Sequence, residues 1–220
     1  MPRFGPELAP AGPALAQQTV RETLQNVKKQ TMQMIEKPVK VERVSERQIQ
    51  KGAAKPVKVE YGEQYTREKR KKVLKPDIEY TSKEGYTYTT DSKGRIASCE
   101  GGLQLGDGKR NNYAQRVVGR DDRLSDDDGG HLIASIFKGS GDIDNLVPMN
   151  SNLNRGEWKK LEIEWSNAIN NGDEVKVKIT PNYGGDSKRP DSFVIRYKIG
   201  DEDRWKLKNF DNVPGGKLDE

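Results

Sequence analysis

A single cysteine, Cys99, and a single histidine, His131, occur in this chain of 220 residues. One thiol excludes an internal disulfide and any zinc site built from several cysteines, and leaves Cys99 to be read as a small half-buried residue. No stretch approaches the run of about 18 apolar residues that a membrane span requires. The first twenty residues hold four prolines and no continuous apolar run, so an ordinary secretory signal peptide is not expected. Apolar residues are scarce at 32%, charged residues reach 33%, and the mean hydropathy is −0.97, so part of the chain is expected to be extended or disordered rather than packed.

Charge is abundant, and it is unevenly placed. The chain carries 39 Lys+Arg and 34 Asp+Glu, a net +5. Residues 1–85 hold 18 basic and 11 acidic side chains, whereas residues 86–220 hold 21 and 23. The basic excess therefore lies in the N-terminal part, which reads as an arm or linker, partly helical and in places disordered. Pro2, Pro6, Pro10 and Pro13 forbid regular structure at its start. Val20, Leu24, Val27, Thr31 and Met34 are spaced as on a helix between Ala14 and Glu36, which Lys37-Pro38 ends. Lys37-Pro38-Val39-Lys40-Val41-Glu42 recurs as Lys55-Pro56-Val57-Lys58-Val59-Glu60, most simply two copies of a basic extended linker. The run Arg67 to Lys72 reads as a solvated helix face that would also favour a polyanion.

From Tyr86 the pattern is that of a compact α+β domain, residues 86–220, with an antiparallel sheet packed on helices. Tyr86 to Thr90 and Arg95 to Ser98 flank a Gly-containing loop as a β-hairpin, and Tyr113 to Val118 reads as a further strand. Asp121 to Asp128 must be loop, and His131 to Phe137 is a buried apolar run. Trp158, Leu161, Trp165 and Ala168 form an apolar stripe on one helix from Asn154 to Asn170, ended by Gly172. Val175, Val177 and Ile179, then Phe193, Ile195, Tyr197 and Ile199, alternate as two strands of a second hairpin.

Taken alone, His131 is more simply a packed histidine than a catalyst. Its neighbours argue otherwise. Gly129 and Gly130 permit close approach of a ligand, and Asp126, Asp127 and Asp128 cannot all be buried, so they border solvent or a cation. Asn154 and Glu162 are eight residues apart, about 80° beyond two turns of a helix, and so occupy neighbouring faces. An amide oxygen and a carboxylate, completed by water, suit a hard divalent cation.

These residues resemble those of the DNA/RNA non-specific endonuclease family, whose fold is of the ββα-metal type. The signature Asp-Arg-Gly-His, Asn-x-x-Pro, Leu-Asn…Trp…Leu-Glu is matched by Asp128-Gly129-Gly130-His131, Asn145-Leu146-Val147-Pro148, Leu153-Asn154, Trp158 and Leu161-Glu162. Gln115 to Gly119 and Gly130 to Ala134 are similar to the C-terminal nuclease domains of secreted bacterial polymorphic toxins, in particular type VII-exported toxins with an LXG-type N-terminus. The resemblance implies a ββα-metal core cutting phosphodiesters of DNA, with RNA as a second substrate, largely without regard to sequence. It makes His131 the general base and Asn154 the direct ligand of Mg²⁺ or Mn²⁺. Glu162 would hold metal-bound water, and Asn145 would support the site. Gly129 stands where the signature has arginine, and Arg116, Arg120 or Arg123, close by in sequence, would supply the missing guanidinium. The toxin likeness further implies a secretion machinery, an acidic immunity protein in the producer cytoplasm, and delivery into target cells. Three other readings remain at this stage. An HNH-type nuclease would need more histidines, a non-catalytic nucleic-acid-binding module would leave the spacing unexplained, and a partner-binding module would make His131 and the tryptophans mere packing.

Overall fold

The computed structural model describes residues 55–217. The expected helix between Ala14 and Glu36 and the first copy of the Lys-Pro-Val-Lys-Val-Glu repeat lie outside the described residues. The centre is a seven-stranded sheet in the order β1-β4-β5-β6-β9-β10-β11. Its members are β1 (Val57–Lys58), β4 (Ile78–Thr81), β5 (Thr87–Thr90), β6 (Ile96–Gly102), β9 (Val175–Asn182), β10 (Ser192–Ile199) and β11 (Lys206–Asp211). All neighbours run antiparallel except β1 beside β4. Two ribbons stand outside this sheet: β2 (Tyr65–Glu68) with β3 (Lys71–Leu74), and β7 (Asp127–His131) with β8 (Leu146–Asn150).

The alternation read for residues 175–179 and 193–199 puts Val175, Val177, Ile179, Phe193, Ile195 and Tyr197 on one face, all buried. The helical stripe covers that face. Trp158 meets Phe193 edge-on with ring centres 5.0 Å apart, and Trp165 meets Tyr197 in the same way at 5.6 Å. Cys99 is also fully buried in this layer, and burial pushes its thiol well above the ordinary range, so it is inert.

Several expectations change. Asp127 and Asp128, read as the end of a loop, open strand β7 and pair with Asn150 and Met149. The sheet crosses the boundary placed between residues 85 and 86: β4 pairs with β5, and Tyr80 stacks on Tyr88 at 5.3 Å, both buried. Residues 55–85, read as part of an arm, thus hold four strands, and the second repeat copy contains β1. The basic run Arg67 to Lys72 is the β2–β3 hairpin rather than a helix face. Lys69 and Arg70 both take positive φ, 46° and 68°, as the two central residues of a tight hairpin turn require.

Tyr113 to Val117 belong to a helix, α1 (Asn112–Val117), which Val118 ends, and not to a strand. The Asn111 side chain accepts a hydrogen bond from the Ala114 N–H at 3.0 Å and caps the first turn. Ala114 and Val118, four apart, are then the buried pair while Tyr113 stays exposed. Finally, the helix from Asn154 to Asn170 is two helices, α2 (Ser151–Arg155) and α3 (Glu157–Asn170), separated at Gly156 with φ −103° and ψ −105°. Asn150 caps α2 by accepting from the Asn152 and Leu153 N–H groups. Asn154 and Glu162 therefore sit on different helices, and the two-turn angle computed for a single helix does not apply.

Candidate active site

Strand β7 is the spine of the site. It pairs with β8 so that Gly129 lies opposite Pro148 and His131 opposite Leu146. On its other side it is overlaid by α1. A Cβ at Gly129 would stand 2.4 Å from the Gln115 carbonyl oxygen and 2.6 Å from the Gln115 Cα, so only glycine admits α1 at this distance. Between β7, α1 and α2 opens a cleft of about 690 Å³, lined by Arg110, Asn112, Gln115, Arg116, Arg123, Asp128, His131, Asn154 and Arg155 among others.

The three consecutive aspartates go to three places. Asp126 accepts from the Asn150 side-chain amide at 2.7 Å. Asp127 is buried and paired with Arg189 through two hydrogen bonds of 2.8 and 2.9 Å, which tie β7 to the loop before β10. Asp128 faces the cleft. Its carboxylate takes two bonds from Arg155, at 2.8 and 2.7 Å, and one of 3.0 Å from the Asn154 Nδ2. Partial burial pushes its pKa up, but these donors outweigh it and hold the carboxyl below the usual range. With the Asn154 NH₂ committed to Asp128, its amide oxygen is the atom left to face a ligand.

His131 is half-buried, and its Nε2 is enclosed without a hydrogen-bond partner among the described residues. Burial, then the nearby positive charge of Arg110, lowers its pKa from 6.5 to about 4. The imidazole is therefore neutral at pH 7, with an acceptor or donor position unused. Glu162, on α3, is 8% exposed and its pKa is raised. Burial is the cause, opposed by the Lys159 ammonium hydrogen-bonded at 2.9 Å and by Arg110. Arg110 thus acts electrostatically on both His131 and Glu162, although the sequence reading passed over it. The signal was the Lys109-Arg110 pair just before the Asn111 cap.

Asn145 is fully buried behind the site. Its Oδ1 accepts from the Tyr88 hydroxyl at 3.0 Å and from the Ile133 N–H at 2.9 Å, while its Nδ2 donates to the Ile133 and Ser140 carbonyls at 2.8 and 2.7 Å. Every bonding position is in use, and the amide braces the turn that follows His131. Arg116 lines the cleft, but Arg120 does not. After α1 the chain turns through Gly119 (φ 80°) and Arg120 (φ 51°), which puts Arg120 on a second recess behind Pro148. Among the described residues no group of three or more His, Cys, Asp or Glu side chains is arranged to hold a metal. An amide oxygen and a buried carboxylate with water is the donor set that Mg²⁺, which keeps much of its hydration, accepts.

Residues 76–201 match the family model described as DNA/RNA non-specific endonuclease. Type VII secretion system protein EssD of Staphylococcus aureus (strain USA300) is 51% identical over 152 residues, covering 66% of this chain and 25% of that protein. The protein of the same name in strain Newman is also 51% identical over 152 residues, covering 66% of this chain and 24% of its own length. The chain therefore spans about a quarter of the length of these curated relatives. Among solved structures, NucA from Streptococcus agalactiae with magnesium ion bound superposes with a TM-score of 0.51 at 18% identity, covering 64% of this chain and 76% of that one. At that identity the likeness is one of fold, an α+β nuclease core of the ββα-metal kind.

Proposed function

The chain belongs to the DNA/RNA non-specific endonuclease family, and from that premise we propose that it hydrolyses phosphodiester bonds with His131 as general base and a divalent cation held at Asn154 and Glu162. The observation that carries this reading is the cleft itself, which sets the neutral imidazole of His131 beside Asn154, Arg110 and Arg116. A neutral imidazole takes the proton of an attacking water that reaches its unprotonated nitrogen, assistance typically worth about 10²–10⁴ in rate. Arg110 and Arg116 line the same cleft and supply guanidinium donors for the phosphate. Asp128 fixes the Asn154 amide, Arg155 and Asn154 hold Asp128, and Asn145 braces the turn after His131.

When bound, the cation withdraws charge from the phosphate oxygens. Mg²⁺ suits the oxygen donors, and NucA from Streptococcus agalactiae is described with magnesium ion bound. Sequence-tolerant cutting follows, since the guanidinium groups lining the cleft suit the phosphate backbone rather than base edges. Arg120 lines the other recess and is left out of the proposed chemistry.

The nuclease domain begins at or before Lys55, because β1 and β4 belong to its sheet. Likeness to the type VII secretion system protein EssD supports a secreted toxic effector handled by such an export machinery, acting on DNA and RNA of a target cell. A producer of that effector needs an immunity partner that covers the cationic cleft, and an acidic protein fits. No described helix is long and apolar enough to cross a membrane.

The test is incubation of the chain with supercoiled plasmid and with RNA, in Mg²⁺ and in EDTA, beside His131→Ala and Asn154→Ala. Nicking by wild type in Mg²⁺, abolished by EDTA and by either substitution, is expected. Equal cutting by His131→Ala would refute the assignment.

A further inference from the structure

We propose that Asp144 is a positioning residue for the His131 cleft, and that residues 61–75 act through it as part of the catalytic unit. The activity at stake rests on the nuclease reading; the coupling between these groups is visible independently of it. Read from sequence as part of an arm, the segment lies ahead of residues 76–201, the stretch that matches the family. The chain between His131 and β8 is a loop stitched at its two ends. The Leu132 N–H donates to the Asn145 carbonyl at 3.0 Å, and the Asn145 side chain both accepts from and donates to the Ile133 backbone.

Asp144, one residue before Asn145, is 1% exposed. Its carboxylate accepts from the Ser140 hydroxyl at 2.6 Å, from the Gln64 Nε2 at 3.2 Å and, more loosely, from the Tyr61 hydroxyl at 3.4 Å. Gln64 is fully buried and its amide is fixed in orientation. Its Oε1 accepts from the Gly62 N–H at 2.5 Å, which leaves the NH₂ for Asp144. Burial, then the charge of Asp144, pushes Tyr61 up to about 12, so this hydroxyl stays a donor. All three donors are neutral. A carboxylate is costly to bury, and neutral donors return only part of that cost. What the arrangement provides is direction, since donors from residues 61–64 and from the loop itself fix one side chain at the root of the loop. Beside it Lys72, lying over the Tyr65 ring, donates to Asp142 at 2.6 Å.

The loop passes this restraint on in two directions. Towards His131 it runs through Asn145, whose Nδ2 also holds the Ser140 carbonyl at 2.7 Å. Towards Arg110 it runs through Gly141, which forms a parallel bridge with the Arg110 backbone. A Cβ on Gly141 would stand 2.1 Å from the Lys109 carbonyl oxygen, so the two backbones are in direct contact. Arg110 lines the cleft and bears on both His131 and Glu162. A shift at the loop root therefore reaches two cleft residues at once, and a misplacement of about 1 Å can cost about 10²-fold in rate.

The experiment uses the full chain. Because His131 is the one histidine of the sequence, its imidazole Cε1–H gives a single NMR resonance that reads the cleft without substrate. Asp144→Ala and Gln64→Ala are expected to shift that resonance. Both should lower kcat for plasmid cleavage about tenfold, with KM within about twofold of wild type. The double variant should lose no more kcat than Asp144→Ala alone, because both changes break one contact. Asp144→Asn keeps an acceptor for Gln64 and should hold kcat within about threefold of wild type. Ile96→Val trims the floor of a different recess and serves as the control for lowered stability. Measured well below the melting temperatures, it should keep the wild-type kcat and resonance. A folded Asp144→Ala with wild-type kcat and resonance would overturn the proposal. So would additive losses in the double variant, or the same loss of kcat and shift of resonance in Ile96→Val. Should Asp144→Ala fail to fold, Gln64→Ala and Tyr61→Phe, which delete one donor each, decide by the same two readouts. If wild type cuts nothing in any metal, the nuclease reading falls, while the resonance still decides whether Asp144 is coupled to His131.

Discussion

Two recesses flank the β7–β8 ribbon and the end of α1, and they differ in what their polar groups are doing. The one holding Arg120 has a floor of Leu74, Ile96, Val118, Leu146 and Val147, and the cations on its rim are mostly engaged: Lys72 with Asp142, Arg95 with Asp91, Lys93 with Asp186. The one holding His131 is polar, with an imidazole nitrogen left unpaired and Arg110 bearing on both His131 and Glu162. The first recess has its charges paired over an apolar floor, whereas the second gathers an imidazole, an amide, a carboxylate and several guanidinium groups around one opening. Arg116 and Arg120 show how local the distinction is. They are four residues apart, yet the left-handed turn at Gly119 and Arg120 sends them to different recesses.

The sharpest way to break the contrast is to remove one side chain from each recess. His131→Ala is expected to lower plasmid cleavage by about 10²–10⁴-fold, whereas Arg120→Ala should leave the rate within about twofold; steady-state rates in Mg²⁺ decide it. Next in size is Arg116→Ala. Loss of one preorganised donor to a developing oxyanion typically removes about 10²-fold in kcat, and kcat should fall while the melting temperature stays put.

A third change acts on the wall between the recesses. Gly129→Ala sets a Cβ against the backbone of Gln115, which cannot yield as a side chain would. Overpacking of this kind costs about 1–3 kcal/mol, read as a lowered urea midpoint, and cleavage should fall about tenfold as α1 and Arg116 are pushed out of place. The smallest expected effect is electrostatic. In Arg110→Gln the pH at which cleavage is half-lost on the acid side should rise by less than one unit, because burial, the larger cause of the His131 shift, remains. The sign for stability is the same in wild type. Unfolded histidine takes its proton near 6.5 and folded His131 near 4, so this contribution is fully present above 6.5 and is lost as pH falls toward 4.

The elements legible in the sequence were those whose periodicity matches their burial. β5 with β6, β9 with β10, and the stripe of α3 emerged from spacing alone, because each buries one face against the same core. The β2–β3 hairpin was hidden because its residues are mostly charged and exposed, and a tight turn at Lys69 and Arg70 is made there without glycine. A cap and two buried residues settled α1, which is too short for a helical period to show. Of the residues proposed from motif and neighbourhood, His131, Asn154 and Arg116 line one cleft, Asn145 is buried behind it, Glu162 is buried on α3, and Arg120 lines the other recess. Arg110 and the break at Gly156 were not foreseen: the first matters through tertiary proximity, and the second separates two residues that spacing had joined.

The central claim is that a neutral, enclosed His131 serves as the base, and the pH dependence of kcat/KM for plasmid cleavage tests it most directly. The profile should hold from pH 7 down past 5.5 and break near 4, following the depressed pKa of the free enzyme. A break near 6.5, or a His131→Ala protein with the same profile and rate, would contradict it.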